Sequence, residues 1–265
     1  MKVGFIGAGK MAEAMIASFL STKKLEAHSI FASDVSTERR NALKQRYGIN
    51  VYAGNKDIPG LAGIIFLSIK PQGMTEVLAE IAANVTGEHL VISIAAGRKI
   101  EAIQAALPNA RIIRVMPNLP CMVSEGMSVF CAAPSATADD RKLAASLLSC
   151  FGKVLELAEE KLDAVTAVSG SGPAFFAYLM DKIADAGVKE GLERSDALLL
   201  AEQTMMGSAK LLMENKTDPQ DLIKSVTSAK GTTAAGLAVL EKSSVDLILQ
   251  QTIAAAAQRS RELSA

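Results

Sequence analysis

The sequence has little cysteine, little histidine and no surplus of charge of either sign. Its 28 basic and 28 acidic residues give a net charge of zero, so it has neither a basic stripe for nucleic acid nor an acidic tail. The three cysteines form no CxxC pair and are odd in number, which argues against a zinc site and against a disulfide framework. We assign no chemistry to the two histidines. These absences predict a protein without a metal site, whose cysteines are buried structural thiols.

Long apolar runs are also missing. The uncharged apolar stretches end well short of the roughly 20 residues that a membrane span needs, and no segment resembles a signal peptide. We therefore expect a cytoplasmic protein that binds neither nucleic acid nor membrane. Hydrophobic residues nevertheless make up 49% of the 265 residues, which is high for a monomer and favours oligomerisation. This length also exceeds what one core usually serves, so two domains are expected.

The first residues, KVGFIGAGKMAEAM, have the pattern of a dinucleotide-binding turn. The run Val3 to Ile6 forms a buried parallel strand, Gly7 allows a tight turn, and Gly9 leaves room for a pyrophosphate beside the main chain. A helix beginning near Lys10 directs free N–H groups and its positive dipole end toward the phosphates. The predicted cofactor-binding residues of this turn are Ile6, Gly7, Ala8, Gly9, Lys10 and Met11.

Strand-like and helical patterns alternate through the first part of the chain. Strand-like runs are predicted at residues 29–33, 49–53, 63–69, 89–95, 110–115, 127–132 and 153–158. Helix caps and glycine stops lie between several of them, as from Ser36 to Gly48. This alternation predicts an α/β fold with a doubly wound parallel Rossmann sheet.

Beyond Glu159 the β-branched runs give way to long segments rich in Ala, Leu and Met. We therefore predict a dinucleotide-binding domain at 1–158 and a smaller, all-helical domain at 159–265. In the segment from Leu198 to Met213, apolar residues cover more than one helix face, so this domain needs partners on several sides. We expect at least a homodimer.

The end of the second strand carries mixed signals about the cofactor. Asp34 is placed to bind an adenosine ribose, which favours NAD. Hydroxyl and guanidinium groups beside it are what a 2′-phosphate requires. These groups belong to Ser33, Ser36, Thr37, Arg39 and Arg40. The alternative is that they only cap and solvate the next helix. We predict that NADPH and NADH are both used, with NADPH favoured and Ser33 in the cofactor site.

Three further segments carry polar groups at positions where ligands bind. SIKP (68–71) ends a strand and places Lys70 at the carboxyl edge of the sheet, and RVMPNLP (114–120) forms a stiff loop at the same edge. In SVTSAKGTTAAGL (225–237), hydroxyl and N–H groups converge on a helix start, which suits a carboxylate ligand. The alternative is a plain helix corner in which Thr232 or Thr233 is the N-cap.

Taken together, these motifs resemble the pyrroline-5-carboxylate reductase family, NAD(P)H-dependent enzymes that make proline. The resemblance spans nearly the whole chain in family order. It rests on FIGAGKM (5–11), IKP (69–71), SIAAG (93–97), RVMPN (114–118), VSGSGPA (168–174), MGSAK (206–210) and VTSAKGTTAAGL (226–237). It implies a Rossmann domain followed by an intertwined helical dimerisation domain, a ring of dimers, and a cyclic imine carboxylate as substrate.

The resemblance also implies roles for individual residues. Thr233 matches the hydroxyl that binds the substrate nitrogen, and Gly231 and Thr232 match the turn that binds its carboxylate. Asn118, at the end of the RVMPN match, is placed with the substrate. Asn55, Ser68, Ile69 and Lys70 match cofactor-contacting positions.

The chain departs from the family pattern at two places. Ala229 and Lys230 stand where the family has Pro-Gly, and Leu119 replaces a threonine. Lys230 adds positive charge near a substrate carboxylate but gives up the freedom of glycine to adopt a positive φ.

Two other functions stay open on the residues alone. A β-hydroxyacid dehydrogenase has the same N-terminal turn, but its GxxGxGxxxK lysine is replaced here by the Phe175–Phe176 region, and Lys182 comes too late. A non-catalytic NADPH-binding sensor would have no use for the Gly231–Thr233 turn.

Overall fold

A computed structural model describes residues 1–264 as an α/β sheet followed by helices. The strands are β1 (Val3–Ile6), β2 (Ile30–Ser33), β3 (Asn50–Tyr52), β4 (Ile64–Leu67), β5 (Leu90–Ser93), β6 (Arg111–Met116), β7 (Gly126–Ala132) and β8 (Gly152–Glu156). Each run predicted to be a strand forms one.

Helices lie in most of the segments between the strands and form most of the chain after β8. Those before β8 are α1 (Lys10–Ser21), α2 (Thr37–Tyr47), α3 (Ile58–Leu61), α4 (Met74–Ile81), α5 (Ile100–Ala106) and α6 (Ala138–Leu148). Those after it are α7 (Leu162–Val165), α8 (Gly172–Lys189), α9 (Arg194–Asn215), α10 (Pro219–Ser225), α11 (Thr232–Lys242) and α12 (Val245–Ser264). The predicted cap and glycine stop are both present at α2, where the Ser36 hydroxyl accepts a hydrogen bond from the Arg39 N–H and Gly48 ends the helix at φ +68°.

The eight strands form one sheet in the order β3-β2-β1-β4-β5-β6-β7-β8. The order reverses between β1 and β4, which makes the sheet doubly wound and confirms the predicted fold class. One detail differs: β7 runs antiparallel to β6, whereas the other neighbouring pairs are parallel. The β6–β7 connection holds only a 3₁₀ turn at Leu119–Val123, and a parallel return needs a longer crossover.

Apolar side chains cover both faces of this sheet. Every residue of β1, β2, β4 and β5 is buried, as expected for strands that helices cover on both sides. Along β1, Val3 and Phe5 pack into one core and Ile6 into the other. The Phe5 and Phe66 rings stack with their centroids 5.0 Å apart. This rigid sheet fixes the loops at its carboxyl edge.

The chain divides into two compact units, one formed by Met1–Ser171 with the chain end from Ala256 and one by Gly172–Ala255. In the second unit, Arg194 pairs with Asp181 and Asp185 and ties α9 to α8. Many of its large apolar side chains are exposed, among them Phe176, Tyr178, Leu199, Leu200, Met206, Leu211 and Met213. Among residues 1–264, no helix is long and apolar enough to cross a membrane.

Candidate active site

The predicted dinucleotide turn joins β1 to α1. Gly7 has φ +91°, and a Cβ there would lie 2.7 Å from the Ser68 carbonyl oxygen, so this position requires glycine. Gly9 is the N-cap of α1, and a Cβ built on it would meet no described atom within 4 Å. Because Gly9 has no side chain to cap α1, the first N–H groups of this helix are available to an anion. The turn therefore fits a dinucleotide pyrophosphate.

The predicted residues of this turn differ in exposure. Ile6 and Ala8 are buried, Met11 is half-buried, and Gly9 and Lys10 are exposed. The Ile6 side chain packs into the core, so only its main chain faces the turn. Lys10 has the exposed side chain of this turn, and it lies beside the helix start.

The β4–α4 turn lies against the glycine turn. The Ser68 N–H donates to the Ile6 carbonyl at 2.9 Å, and its hydroxyl donates to the Gly7 carbonyl at 3.0 Å. Ile69 packs partly into the core, while Lys70 is exposed and precedes the short helical turn that starts at Pro71. The structure thus brings Ser68, Ile69 and Lys70 to the same sheet edge as Gly7.

Ser33 and Asn55 contact each other directly. Ser33 is fully buried, and its hydroxyl donates to the Asn55 Oδ1 at 2.8 Å. The Asn55 Nδ2 donates in turn to the Glu80 Oε2 at 2.7 Å. Ser33 therefore lies beneath Asn55 rather than at the surface.

Both carboxylate oxygens of Asp34 accept hydrogen bonds from main-chain N–H groups. Its Oδ2 accepts from the Ala8 N–H and its Oδ1 from the Ser36 N–H, both at 2.8 Å. The Arg40 guanidinium donates to the Asp34 carbonyl at 2.6 Å and to the Thr37 hydroxyl at 2.9 Å. The acid expected at the ribose thus fastens the β2–α2 loop to the glycine turn.

Glu13, in the first turn of α1, lies close to the glycine turn and was not predicted from the sequence. It pairs with Arg39 at 2.8 Å and Arg46 at 3.1 Å, and accepts from the Tyr47 hydroxyl at 3.2 Å. Partial burial alone would raise the pKa of Glu13, but the hydrogen bonds and positive charges of these partners outweigh it and lower the pKa below 4.5. Arg39, which also donates to the Ala8 carbonyl, is therefore occupied by structural contacts. The only signal in the sequence was an acid one turn after Gly9.

Asn118 holds the β6–β7 loop at the carboxyl end of β6. Its Nδ2 donates to the Ser169 carbonyl at 3.1 Å, and its Oδ1 accepts from the Met127 N–H at 2.8 Å. Ser169 lies in a π-helical turn at Thr166–Gly170, a local widening that is frequent at functional sites. Asn118 thus connects the RVMPN and VSGSG motifs.

The Gly231–Thr233 turn lies in the second unit, at the start of α11. Gly231 is the N-cap, Thr232 is exposed and Thr233 is half-buried. The alternative in which Thr232 or Thr233 is the N-cap is wrong, because both residues already have helical positions. A side chain at Gly231 would collide with the Ser228 hydroxyl. Lys230 adopts φ +61°, so it takes the left-handed conformation that the family's glycine would supply.

The free N–H groups of this helix start and the neighbouring hydroxyls suit a carboxylate. Within residues 1–264, no cluster of three or more His, Cys, Asp or Glu side chains could hold a metal ion.

The first 97 residues and the C-terminal part match different family models. Residues 2–97 match the family described as NADP oxidoreductase coenzyme F420-dependent. Residues 159–263 match the pyrroline-5-carboxylate reductase dimerisation family.

Full-length relatives share the name of the second family. A pyrroline-5-carboxylate reductase from Arabidopsis thaliana is 38% identical over 99% of this chain and 95% of its own. The solved structure of a pyrroline-5-carboxylate reductase from Coxiella burnetii has a TM-score of 0.95 and 29% identity, covering 100% of this chain and 98% of that one. The Plasmodium falciparum pyrroline carboxylate reductase, solved with NADP bound, has a TM-score of 0.88 and 29% identity at the same coverage. The chain therefore belongs to the pyrroline-5-carboxylate reductase family.

Proposed function

We propose that this protein reduces 1-pyrroline-5-carboxylate to L-proline with NADPH, and also accepts NADH. The observation that carries the proposal is the similarity over 99% of the chain to enzymes named for this reaction. The two predicted ligand-binding turns support it, because one suits a dinucleotide and the other a small carboxylate. Neither the β-hydroxyacid dehydrogenase nor the sensor is favoured by any of these observations.

The first unit supplies the proposed cofactor site. The glycine turn and the α1 start hold the pyrophosphate, with Lys10 beside them, and Asn55, Ser68, Ile69 and Lys70 line the neighbouring strand ends. In this proposal Ser33 acts through Asn55, since its hydroxyl is buried and bonded to Oδ1. Arg40, beside Ser36 and Thr37, supplies the positive charge for the 2′-phosphate.

The second unit supplies the proposed substrate turn. The N–H groups at Gly231 and Thr232 anchor the carboxylate, and the Thr233 hydroxyl bonds the ring nitrogen. When bound, NADPH supplies the hydride that the C=N carbon accepts. The chain contributes position and hydrogen bonding rather than a metal or a covalent nucleophile, and an imine needs less activation than a carbonyl because its protonated form already carries charge. The proton that the ring nitrogen gains comes from water.

Asn118 has a supporting part in this proposal. Both ends of its amide are bonded, to the Ser169 carbonyl and the Met127 N–H, so in substrate binding it acts by holding the β6–β7 loop in place.

We further propose a boundary near residue 158 between a cofactor domain at 1–158 and a dimerisation domain at 159–265. The match of residues 159–263 to the dimerisation family supports both this boundary and homo-oligomer formation. The exposed apolar side chains of α8 and α9 support a homodimer. Assembly of the dimers into a ring is the outcome that the family resemblance favours.

One assay separates the possible functions. We expect NADPH oxidation to depend on added pyrroline-5-carboxylate, and the product to be proline by amino-acid analysis. Parallel reactions with NADP and a β-hydroxyacid should show no turnover. Turnover only with the β-hydroxyacid would establish the dehydrogenase, and NADPH binding without turnover of either substrate would establish the sensor.

A further inference from the structure

Arg98 joins two loops at the carboxyl edge of the sheet. Its Nε and Nη2 donate to the Pro71 carbonyl oxygen at 3.2 and 2.9 Å. The same carbonyl accepts from the Met74 N–H, and the Lys70 carbonyl accepts from the Gly73 N–H. Since proline fixes its own φ, these bonds lock the short turn that directly follows Lys70. Of these hydrogen bonds, those from Arg98, on the β5–α5 loop, are the ones that come from outside the turn.

The loop that carries Arg98 is itself held from two sides. Gly97 is buried and has φ +71°, and a Cβ built on it would lie 2.8 Å from the Leu263 carbonyl oxygen, near the end of α12. On the other side, the Ile100 N–H donates to the Glu159 Oε1 at 2.8 Å, and this oxygen pairs with the nearly buried Arg114 at 2.8 Å. Arg98 therefore has a fixed base from which to hold Pro71.

We propose that Arg98 is a positioning residue for the cofactor, because its two hydrogen bonds to the Pro71 carbonyl fix the position of Lys70 at the sheet edge. The inference rests on the proposed role of Lys70 as a cofactor contact. Arg98 belongs to the first unit, whereas the proposed substrate turn belongs to the second. It should therefore affect cofactor affinity and leave the rate at saturating cofactor nearly unchanged.

The geometry of the guanidinium is central to this role. Two N–H groups of one planar fork reach a single carbonyl, which fixes direction as well as distance. A lysine at position 98 retains the charge but not the fork. If Arg98 acted only through its charge on the cofactor phosphates, Arg98→Lys would behave as the wild type.

The test compares Arg98→Met, Arg98→Lys, Lys70→Met and the Arg98→Met/Lys70→Met double variant. The dissociation constant for NADPH is measured by calorimetry without substrate, and kcat is measured at saturating cofactor. Arg98→Met should raise this constant about tenfold, the scale of a lost hydrogen bond from a charged donor, with kcat within about twofold. Arg98→Lys should recover only part of the affinity.

Arg111→Met is the matched control. Arg111 lies at the start of β6, at the opposite end of the strand from the cofactor edge. Its guanidinium donates to the Glu88 carbonyl at 2.7 Å and pairs with Asp140. Its loss should lower the melting temperature without changing NADPH affinity.

In the Lys70→Met background, Arg98→Met should add little further loss, because both changes then remove the same contact. Additive losses, full recovery by lysine, or unchanged NADPH affinity in Arg98→Met would each overturn the inference. If Arg98→Met does not fold, Arg98→Lys and its combination with Lys70→Met decide the same question. Because calorimetry needs no substrate, a wild-type protein that fails to reduce pyrroline-5-carboxylate would refute the proposed function, and the NADPH affinities would still decide this inference.

Discussion

The Asp34 carboxylate accepts a hydrogen bond from the Ala8 main-chain N–H at 2.8 Å, which fastens the end of the second strand to the glycine turn. Its other oxygen accepts from the Ser36 N–H. A carboxylate that is bonded in this way stays turned toward the protein main chain, where it opposes a 2′-phosphate less than a free one would. Discrimination between NADPH and NADH is then expected to depend on the arginine side chains near the start of α2.

Arg40 is the residue we expect to discriminate. Arg40→Met should raise the Michaelis constant for NADPH about tenfold more than that for NADH, because only NADPH has a 2′-phosphate to pair with a guanidinium. Ser33→Ala should affect the two cofactors alike, since the buried Ser33 hydroxyl acts on Asn55. Steady-state kinetics with both cofactors tests this, and a selective loss of NADPH affinity in Ser33→Ala would place the 2′-phosphate at Ser33 instead.

The helical unit should be stable only as part of an oligomer. Leu199 and Met206 are 64% and 59% exposed, and lie seven residues apart on α9, so they share one helix face. Replacing both by Glu should dissociate the assembly, because each apolar side chain contributes about 1.5–3 kcal/mol when fully buried. Light scattering at micromolar concentration measures the result, with Thr204→Glu, an exposed position on a different face of α9, as control. A folded wild-type monomer would contradict this prediction.

The Glu13 pairings should make stability depend on pH. The pKa of Glu13 is lowered below 4.5 in the folded protein, so its contribution is fully present above 4.5 and is lost as the pH falls through the folded-state pKa. At pH 7, Glu13→Gln should lower the free energy of unfolding by about 1 kcal/mol, a modest value because Arg46 is largely exposed. Urea titrations at several pH values should show this difference shrinking below pH 4.5. A constant difference, or one that the exposed Glu88→Gln also gives, would refute it.

Lys230 has a strained backbone conformation, and two variants that both remove its charge can test the cost of that strain. Both Lys230→Gly and Lys230→Ala remove the ammonium, but only glycine adopts the φ of +61° freely. We expect the glycine variant to be about 1 kcal/mol more stable than the alanine variant, since the left-handed conformation costs an L-residue more than glycine loses in chain entropy. Denaturant titration of both proteins decides it, and equal stability would mean that the loop relaxes.

The sequence predicted best the features whose causes lie close together along the chain. The α2 boundaries follow from the Ser36 cap and from Gly48, and the strand runs follow from their apolar pattern, so these elements appear where expected. The antiparallel direction of β7 was harder to predict, because nothing in its own residues distinguishes a parallel from an antiparallel strand.

The contacts of the candidate site were harder to predict. The Asp34–Ala8 bond joins residues 26 positions apart, and the Asn118–Ser169 bond joins residues 51 apart. The partners of a polar side chain depend on which strands become neighbours, and the local pattern does not carry that information. Residue types at the site were therefore predictable, whereas the direction of the Asp34 carboxylate and the burial of Ser33 were not.

Thr233 gives the most direct test of the catalytic proposal. It is half-buried at the second position of α11, and Gly231 already occupies the N-cap, so Thr233→Ala should cost less than about 1 kcal/mol of stability. NADPH affinity should also survive, because the glycine turn belongs to the other unit. Turnover should fall by roughly 10- to 1000-fold, the scale expected when one positioned hydrogen-bonding group is removed from a reacting atom. Thr233→Ser retains the hydroxyl and should retain most of the activity. Thr232→Ala should do less than Thr233→Ala, because the main-chain N–H is the proposed contact there. If the folded Thr233→Ala protein binds NADPH normally and reduces pyrroline-5-carboxylate at the wild-type rate, this hydroxyl has no part in the reaction, and the turn serves only to start the helix.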